Sequence, residues 1–294
     1  MSEYVIATAS TSDLSSVYLY GHNVPFISYT YEIDGEVFRD DCREESHRRL
    51  IEAMREGKAP NTSQIPEFAY YEFFKGILDQ GKDLIYTDMS RAISSSISNA
   101  ERAIKTVKAE YPERKICFID SYCITAGLAL FVKQLVKRRN EGCTFEETVA
   151  WGEAHKKEFI HRFMVDDLQW LRRGGRLSNA SAIVGSLLSI KPLLYVKNDG
   201  TLVAFDKIRG RKKCLKALVE SVKDDIDDIT YEEEMMIIHT DQYEEALAFR
   251  TALCNQYPRL KEENISIMTI GPVIGSHVGP GFMAVAYHGK ERIM

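Results

Sequence analysis

The sequence predicts an α/β protein of two domains. In the first, helices cover both faces of a mainly parallel sheet, and the second is an α+β domain with a largely antiparallel sheet. Apolar, strand-like runs alternate with helical periodicity over residues 1–162, which is typical of a parallel sheet. Beyond them, two apolar runs meet at an Asn-Asp-Gly turn, residues 198–200, which is typical of an antiparallel hairpin. A chain of 294 residues is also long enough to form two hydrophobic cores.

The predicted N-terminal α/β domain, residues 1–162, begins with a short apolar run that ends in hydroxyl residues and indicates a buried strand. An alternating segment with the turn "IDGE" follows and predicts a hairpin. Thr144 and Glu147 have the spacing of a capping box, which predicts that a helix starts there. In chain order we expect a strand over 4–10, a hairpin over 24–40, helices over 43–57 and 66–81, a strand over 83–90, a helix to about 109, a strand over 115–120, and helices over 124–142 and 144–162.

The predicted C-terminal α+β domain, residues 163–294, has a different order of strands and helices. The runs "PLLYV" and "TLVAF" flank the Asn-Asp-Gly turn and predict paired strands. The remaining elements follow from periodicity and from glycine or proline at their ends. We expect a strand, a helix, a glycine-rich corner and a second helix before the hairpin, and after it a helix over 211–224, a strand over 234–240, a helix over 242–256, and strands over 264–270 and 281–287.

Composition narrows the class of protein. The net charge of −5 argues against binding to nucleic acid or to an anionic membrane surface, because both repel an acidic protein. The chain starts "MSEYVIATAST", without the basic and apolar regions of a secretory signal, and no apolar run reaches the length of a membrane span. We therefore predict a cytoplasmic protein without stable membrane insertion.

The six cysteines are scattered and include no CxxC pair, and the histidines show no metal-ligand spacing. We predict that the cysteines pack as small apolar residues, and we predict neither a metal site nor a cofactor. No phosphate-binding glycine motif of either the GxxxxGK[ST] or the GxGxxG type is present.

Small hydroxyl residues are concentrated where three predicted elements end. They lie at 8–12, at 62–63 and at 90–96, the last group where a helix opens. Any one group is explained by helix capping alone, but ligands of α/β sheets bind beyond the carboxyl ends of the strands. Together the groups predict a neutral, donor-rich anion site, and hydroxyls with one histidine suit a carboxylate better than a phosphate.

The segment "IGPVIGSHVGPGF", residues 270–282, surrounds His277 with glycine and proline and predicts a constrained loop. His277 either stabilises that loop or directs a ring nitrogen at a ligand. A serine hydrolase with Ser94 and His277 is an alternative, but the sequence has no GxSxG elbow. The basic clusters 172–176 and 209–213 are either solvated helix ends or a docking surface for a partner.

These motifs, in this order, resemble the DegV family of bacterial fatty-acid-binding proteins over essentially the full length of the chain. The combination of "LRRGGRLS", "IKP" and "GSHVGPG" is the most specific part of the resemblance. The matching stretches are "TASTSDL" (8–14), "TSQIP" (62–66), "SRAISSSISNA" (90–100), "IDS" (119–121), "LQWLRRGGRLS" (168–178), "LLSIKPLL" (187–194), "DGTLVAFDKIRGRKK" (199–213) and "GPVIGSHVGPG" (271–281).

The resemblance implies a protein without chemistry of its own that encloses a long-chain fatty acid between its domains and presents it to a fatty acid kinase. It implies that the carboxylate is held by Thr62, Ser94, Ser95 and His277, and that Arg209 contacts the kinase. A Ser-dependent acyl hydrolase and a regulatory binder of a small carboxylated or phosphorylated ligand remain the alternatives. For the acyl tunnel we select five apolar residues of the second half, which would otherwise be core residues: Ile183, Val184, Leu187, Leu188 and Phe282.

The chain departs from the family pattern at two places. Ala9 stands where the family usually has aspartate, which removes a negative charge near the head group. Ser94-Ser95-Ser96 replaces the usual Ser-Gly-Thr, so either the loop needs no positive φ or Ser95 adopts one at a cost of about 1–2 kcal/mol.

Overall fold

The structure, a computed structural model, describes residues 4–176 and 190–292. The strands are β1 (Tyr4–Ala9), β2 (Phe26–Ile27), β3 (Thr30–Ile33), β4 (Glu36–Arg39), β5 (Asn61–Ser63), β6 (Asp83–Asp88), β7 (Ile116–Asp120), β8 (Phe159–Met164), β9 (Ile190–Val196), β10 (Leu202–Arg209), β11 (Met235–His239), β12 (Ile265–Thr269) and β13 (Met283–His288). The helices are α1 (Ser16–Gly21), α2 (Glu44–Arg55), α3 (Glu67–Leu78), α4 (Ser96–Glu110), α5 (Thr125–Asn140), α6 (Phe145–His155), α7 (Leu168–Arg173), α8 (Arg211–Ser221), α9 (Asp228–Glu232), α10 (Tyr243–Gln256) and α11 (Pro272–Val278). No helix among these residues is long and apolar enough to cross a membrane.

The first sheet is parallel, as predicted, with strand order β2-β1-β6-β7. Its carboxyl ends therefore meet at one edge, where the serine-rich segment before α4 begins. Helix α5 contacts β1 on one side and β8 and β13 of a second sheet on the other. Because both sides are covered, most of α5 is buried, including Leu128, Phe131 and Leu135. This helix joins the two halves of the molecule.

The second sheet has the order β10-β9-β8-β13-β11-β12 and is largely antiparallel, as predicted; β11 and β12 form its one parallel pair within the described residues. Alternate residues of β8 enter two different cores. Phe159 and Phe163 face α5 and the first half, whereas Ile160 and Met164 pack with α8 and α10 on the other side. The sheet is therefore apolar on both faces.

The predicted end of the helix that starts after Thr144 was wrong. We expected the helix that starts after Thr144 to run to residue 162, but α6 ends at His155 and residues 159–164 form β8. The capping box itself is confirmed. Strand β8 is buried throughout, and the charge of Arg162 within it is neutralised by Asp225. The proposed domain boundary at residue 162 falls inside this strand.

Both predicted hairpins are confirmed. Asp34 and Gly35 have φ of 52° and 86°, as a two-residue turn with right-handed twist requires, and β3 pairs with β4 across them. Strands β9 and β10 pair in antiparallel register from Val196 and Leu202 outward. On its other edge β3 pairs with β5, which places Thr62 opposite Tyr31.

The segment around His277 is a helix and not the loop we expected. Helix α11 has Pro272 at its first position, where the missing N–H costs nothing. Gly279 and Gly281 follow with φ of 74° and 76°. These positive φ values end the helix, and residues with a side chain rarely adopt them. Four glycines and two prolines lie within residues 270–281, and a seven-residue helix among them is too short to show a helical period.

Candidate ligand-binding site

A cavity of about 160 Å³ lies where the serine-rich segment before α4 meets β5 and α11. Its walls come from segments far apart in the chain. The polar lining comprises Tyr29, Thr62, Ser63, Gln64, Ser94, Arg176 and His277, and the apolar lining comprises Met89, Ile93, Val273 and Ile274. A polar end beside an apolar wall suits an amphiphilic molecule.

Thr62 and His277 are joined by a hydrogen bond of 2.8 Å between Oγ1 and Nε2, across 215 residues of sequence. Burial lowers the pKa of His277 to about 4, and the nearby charges of Arg176 and Arg173 act in the same direction. The ring is therefore neutral at neutral pH. In that state one ring nitrogen donates a hydrogen bond and the other accepts.

The position of His277 depends on a close backbone approach. Gly174, which follows α7, packs so tightly against the ring that an added Cβ would overlap Nδ1. Helices α7 and α11 are in contact along this line, and Gly279 lies equally close to the indole ring of Trp170. Gly174 of "RRGGR" and Gly279 of "GPG" thus let the two helices meet, and Gly174 holds the histidine ring in place.

Ser94 and Ser95 occupy different environments. Ser94 is buried and lines the cavity, and its Oγ accepts a 3.3 Å hydrogen bond from the backbone N–H of Ser96. Ser95 is exposed, and its Oγ accepts a 2.6 Å hydrogen bond from Gln64 Nε2, so it lies outside the cavity wall. The φ of Ser95 is −74°, so the triple serine needs no positive φ and does not strain the backbone.

Arg176 is the feature of the cavity that sequence reasoning missed. Its Nε donates to the carbonyl oxygen of Ile93 at 3.1 Å and its Nη1 to that of Gly174 at 2.5 Å, so the guanidinium is held in place. Neither partner is charged. Burial lowers the pKa of Arg176 without bringing it near neutrality, because guanidinium groups stay protonated in proteins. The signal was present in "RRGGR", which we had interpreted as a solvated surface or a docking patch.

A buried network lies beneath the cavity. Tyr29, Tyr70 and Tyr86 all donate to Oδ2 of Asp88, at 3.3, 3.1 and 2.6 Å. Thr11 and the backbone N–H of Met89 donate to Oδ1 at 3.0 and 2.7 Å. Burial raises the pKa of Asp88, and these donors oppose the rise because they stabilise the carboxylate. The network fixes Tyr29 at the cavity wall.

The other predicted residues that the structure describes do not line this cavity. The hydroxyls after β1 are used within the fold, since Thr11 donates to Asp88 and Ser10 accepts from the N–H of Tyr29. Phe282 is buried against Phe163 in the core. Arg209 is exposed at the end of β10. The other four tunnel candidates, Ile183, Val184, Leu187 and Leu188, lie outside the described residues.

This arrangement can bind a carboxylate and gives little support to nucleophilic catalysis. Nε2 of His277 pairs with Thr62 and not with Ser94, and the Oγ of Ser94 faces the helix N-terminus. A nucleophile needs an adjacent base within hydrogen-bond reach. The hydroxyls, the neutral imidazole and the guanidinium together offer several donors to one anion.

Comparison with known proteins identifies relatives along the whole chain. The model of the DegV family matches residues 3–290. A DegV domain-containing protein of Clostridium perfringens is 33% identical over 293 residues, which cover 99% of both chains. Another from Streptococcus pyogenes is 35% identical over 292 residues, which cover 98% of this chain and 99% of the relative.

Among solved structures, DegV, a fatty acid binding protein from Bacillus subtilis, is 26% identical with a TM-score of 0.82, and the match covers 99% of this chain and 100% of that one. A stearic acid-binding protein from Eubacterium ventriosum is 25% identical with a TM-score of 0.85, and the match covers 97% and 98% of the two chains. The two-domain fold is therefore shared.

Proposed function

This chain belongs to the DegV family, and on that premise we propose that it binds a long-chain fatty acid whose carboxylate occupies the cavity between Thr62, Ser94 and His277. The observation that carries the proposal is the Thr62–His277 hydrogen bond beside Ser94 and the guanidinium of Arg176. Solved relatives at 25–26% identity bind fatty acids, which supports the same ligand class here.

The carboxylate would receive donors of two kinds. The hydroxyls of Thr62 and Ser94 and the imidazole N–H contribute neutral hydrogen bonds, and Arg176 supplies the positive charge. Hydrogen bonds to a charged group are worth about 1.5–3 kcal/mol each, enough to offset partial desolvation of the anion. Ser95, at the rim beside Gln64, is proposed as a weaker outer contact.

The acyl chain would supply most of the affinity. About 14 buried methylenes contribute roughly 11 kcal/mol at about 0.8 kcal/mol each. Immobilisation of ligand and protein removes several kcal/mol of this gain. The apolar wall of Met89, Ile93, Val273 and Ile274 would receive the first carbons. A cavity of about 160 Å³ holds the head group and those first carbons, so the rest of the chain must extend beyond its walls.

Comparison of palmitic acid with its methyl ester tests the carboxylate site. We expect the ester to bind at least 30-fold more weakly, because it loses the charge that Arg176 and the donors recognise. Butyric acid should also bind far more weakly than palmitic acid, since it lacks most of the chain. Titration calorimetry on delipidated protein measures all three. Equal binding of palmitic acid and its methyl ester would rule out the carboxylate site. Equal binding of palmitic and butyric acids would favour a regulatory protein that binds small carboxylates.

Presentation to a fatty acid kinase is the second part of the proposal. Arg209 is exposed at the end of β10, beside exposed Lys212 and Lys213 on α8, and such a basic patch suits an acidic partner surface. Arg209→Glu should slow phosphorylation of the bound fatty acid by a cognate kinase while leaving fatty acid affinity unchanged. An unchanged rate would exclude this patch as the docking site.

A further inference from the structure

Four side chains far from the cavity converge where α6 ends, β8 begins and β13 ends. Nδ1 of His155 lies 2.7 Å from Oε2 of Glu158, and Nε2 of His288 lies 3.0 Å from the same oxygen. Two imidazole nitrogens therefore point at one atom, although Glu158 and His288 are 130 residues apart. The second nitrogen of His288, Nδ1, lies 2.7 Å from Oε2 of Glu233.

We propose that His155, Glu158 and His288 bind one divalent transition-metal ion of the zinc class and that Glu233 orients His288 for this purpose. The three ligand atoms lie within 4.8 Å of one another. Small rotations of these side chains would bring all three atoms within bonding distance of one ion. Two imidazoles and one carboxylate suit zinc, cobalt, nickel or copper, whereas magnesium and calcium prefer oxygen ligands alone. The site does not depend on the proposed fatty acid function.

The second carboxylate gives the cluster an outer contact of the kind that metal sites commonly have. A histidine that ligates a metal commonly donates its other ring N–H to a carboxylate, which fixes the tautomer and the ring orientation. Glu233 stands at that place on Nδ1 of His288, which leaves Nε2 for the ion. The Glu158 carboxylate would turn slightly, so that its oxygen and the two imidazole nitrogens share the cation in place of the present hydrogen bonds.

The three ligands are held in place by their surroundings and remain accessible from solvent. The backbone N–H of Gly289 donates to the carbonyl of Glu158, and that of Glu158 to the carbonyl of His155, so all three segments are tied. The ring of His288 stacks on Phe159 at 4.7 Å, and the ring of His155 on Trp151 at 4.8 Å. The side chain of His288 is only 4% exposed, while those of His155 and Glu158 are 37% and 26% exposed. An ion can enter from the His155 side, where water would complete the coordination.

Bound metal would act as a clamp between the two halves of the molecule. Helix α6 packs on β6 and β7 of the first sheet, and β8 and β13 belong to the second. An ion that binds only the folded state stabilises it by mass action. Sequence spacing does not reveal the site, because its ligands come from two segments separated by most of the C-terminal half.

Zinc titration of tag-free, chelator-stripped protein tests the proposal. We expect one Zn²⁺ per chain by calorimetry, a rise of roughly 5 °C in Tm at a hundredfold excess over Kd, and no effect of Mg²⁺. His155→Gln should weaken binding at least tenfold, and Glu233→Gln should weaken it by about 10- to 100-fold. The matched control is His22→Gln, since His22 is exposed, stacks on Tyr18 and does not belong to the cluster.

Both histidine variants should unfold close to the metal-free Tm of the wild type, because His22 is exposed and the side chain of His155, which stacks on Trp151, is 37% exposed. A wild type that takes up no zinc would overturn the proposal. So would equal zinc binding by His155→Gln and His22→Gln, since that would place the ion elsewhere, for example on cysteine thiols.

Discussion

Replacement of Arg176 by methionine is expected to weaken fatty acid binding by roughly 30- to 1,000-fold, which corresponds to about 2–4 kcal/mol. Among the described lining residues, Arg176 is the one that carries a charge at neutral pH. Without it, a bound carboxylate would lie in a largely buried site with neutral donors alone. Methionine keeps most of the side-chain volume, so the change removes charge and hydrogen bonds more than packing.

Arg173→Met provides the matched control. Arg173 lies three residues earlier, is exposed, and stacks over Trp170 at 4.3 Å outside the cavity. It has the same net charge, so any general electrostatic effect on ligand binding should appear in both variants. Calorimetry with palmitic acid should show a loss of less than threefold for Arg173→Met. A comparable loss in the two variants would mean that Arg176 acts at a distance and does not contact the carboxylate.

This prediction differs from what the sequence alone suggested. The sequence predicted a neutral, donor-rich anion site formed by hydroxyl groups and His277, without an arginine. Burial keeps His277 neutral, with a pKa of about 4, and Arg176 carries the charge. The "RRGGR" motif was visible, but three of its five residues are arginine and their patterning does not tell which one turns inward. That direction follows from the hydrogen bonds to Ile93 and Gly174.

Most of the fold was predictable because its elements obey local rules. The strands β1, β6 and β7 are short apolar runs, and the hairpin at Asp34-Gly35 carries its turn signal in two residues. Prediction failed where tertiary contacts override local pattern. Arg162 sits in a buried strand only because Asp225, 63 residues away, neutralises it. Helix α11 is too short to show a helical period and is held by packing on α2 and α7.

The candidate site was predictable in part. Thr62, Ser94 and His277 follow from the family resemblance, and they do line one cavity. The tyrosines around Asp88 show no pattern, since Tyr29, Tyr70 and Tyr86 lie on separate elements and meet only in the folded state. Such a network forms only when separate elements pack together, so the spacing of residues in the sequence does not predict it.

The second large effect concerns stability and comes from two buried carboxyl groups. Asp13 follows β1 and is completely enclosed, and neither of its carboxyl oxygens has a hydrogen-bond partner of normal geometry among the described residues. Burial, together with the nearby Asp40, raises the pKa of Asp13 well above its usual range. The N–H of Gly271 at the start of α11 favours the charged form but is outweighed. Burial likewise raises the pKa of Asp40 to about 7.

These shifts determine how stability should change with pH. A carboxyl group whose pKa is higher in the folded state holds its proton there while the unfolded chain releases it. The associated stability is complete below the pKa of the unfolded chain, near 4, and is lost as the pH rises through the folded value. For Asp40 that window runs from about 4 to about 7 and amounts to roughly 4 kcal/mol. The raised pKa of Asp13 changes stability in the same direction.

Asp13→Asn should therefore stabilise the protein by an amount that grows with pH. At pH 4 the amide replaces a carboxyl group that is protonated in the folded state and has the same shape, so urea unfolding should give a free energy of unfolding within about 1 kcal/mol of the wild type. At pH 8 the variant should be more stable than the wild type by at least 2 kcal/mol, because only the wild type has a carboxyl group at this position whose ionisation is opposed by burial. Asp228→Asn is the control, since that side chain is 88% exposed, and it should differ little from the wild type at either pH. If Asp13→Asn instead destabilises the protein equally at both pH values, then Asp13 is ionised and paired in the folded state, and burial does not govern it.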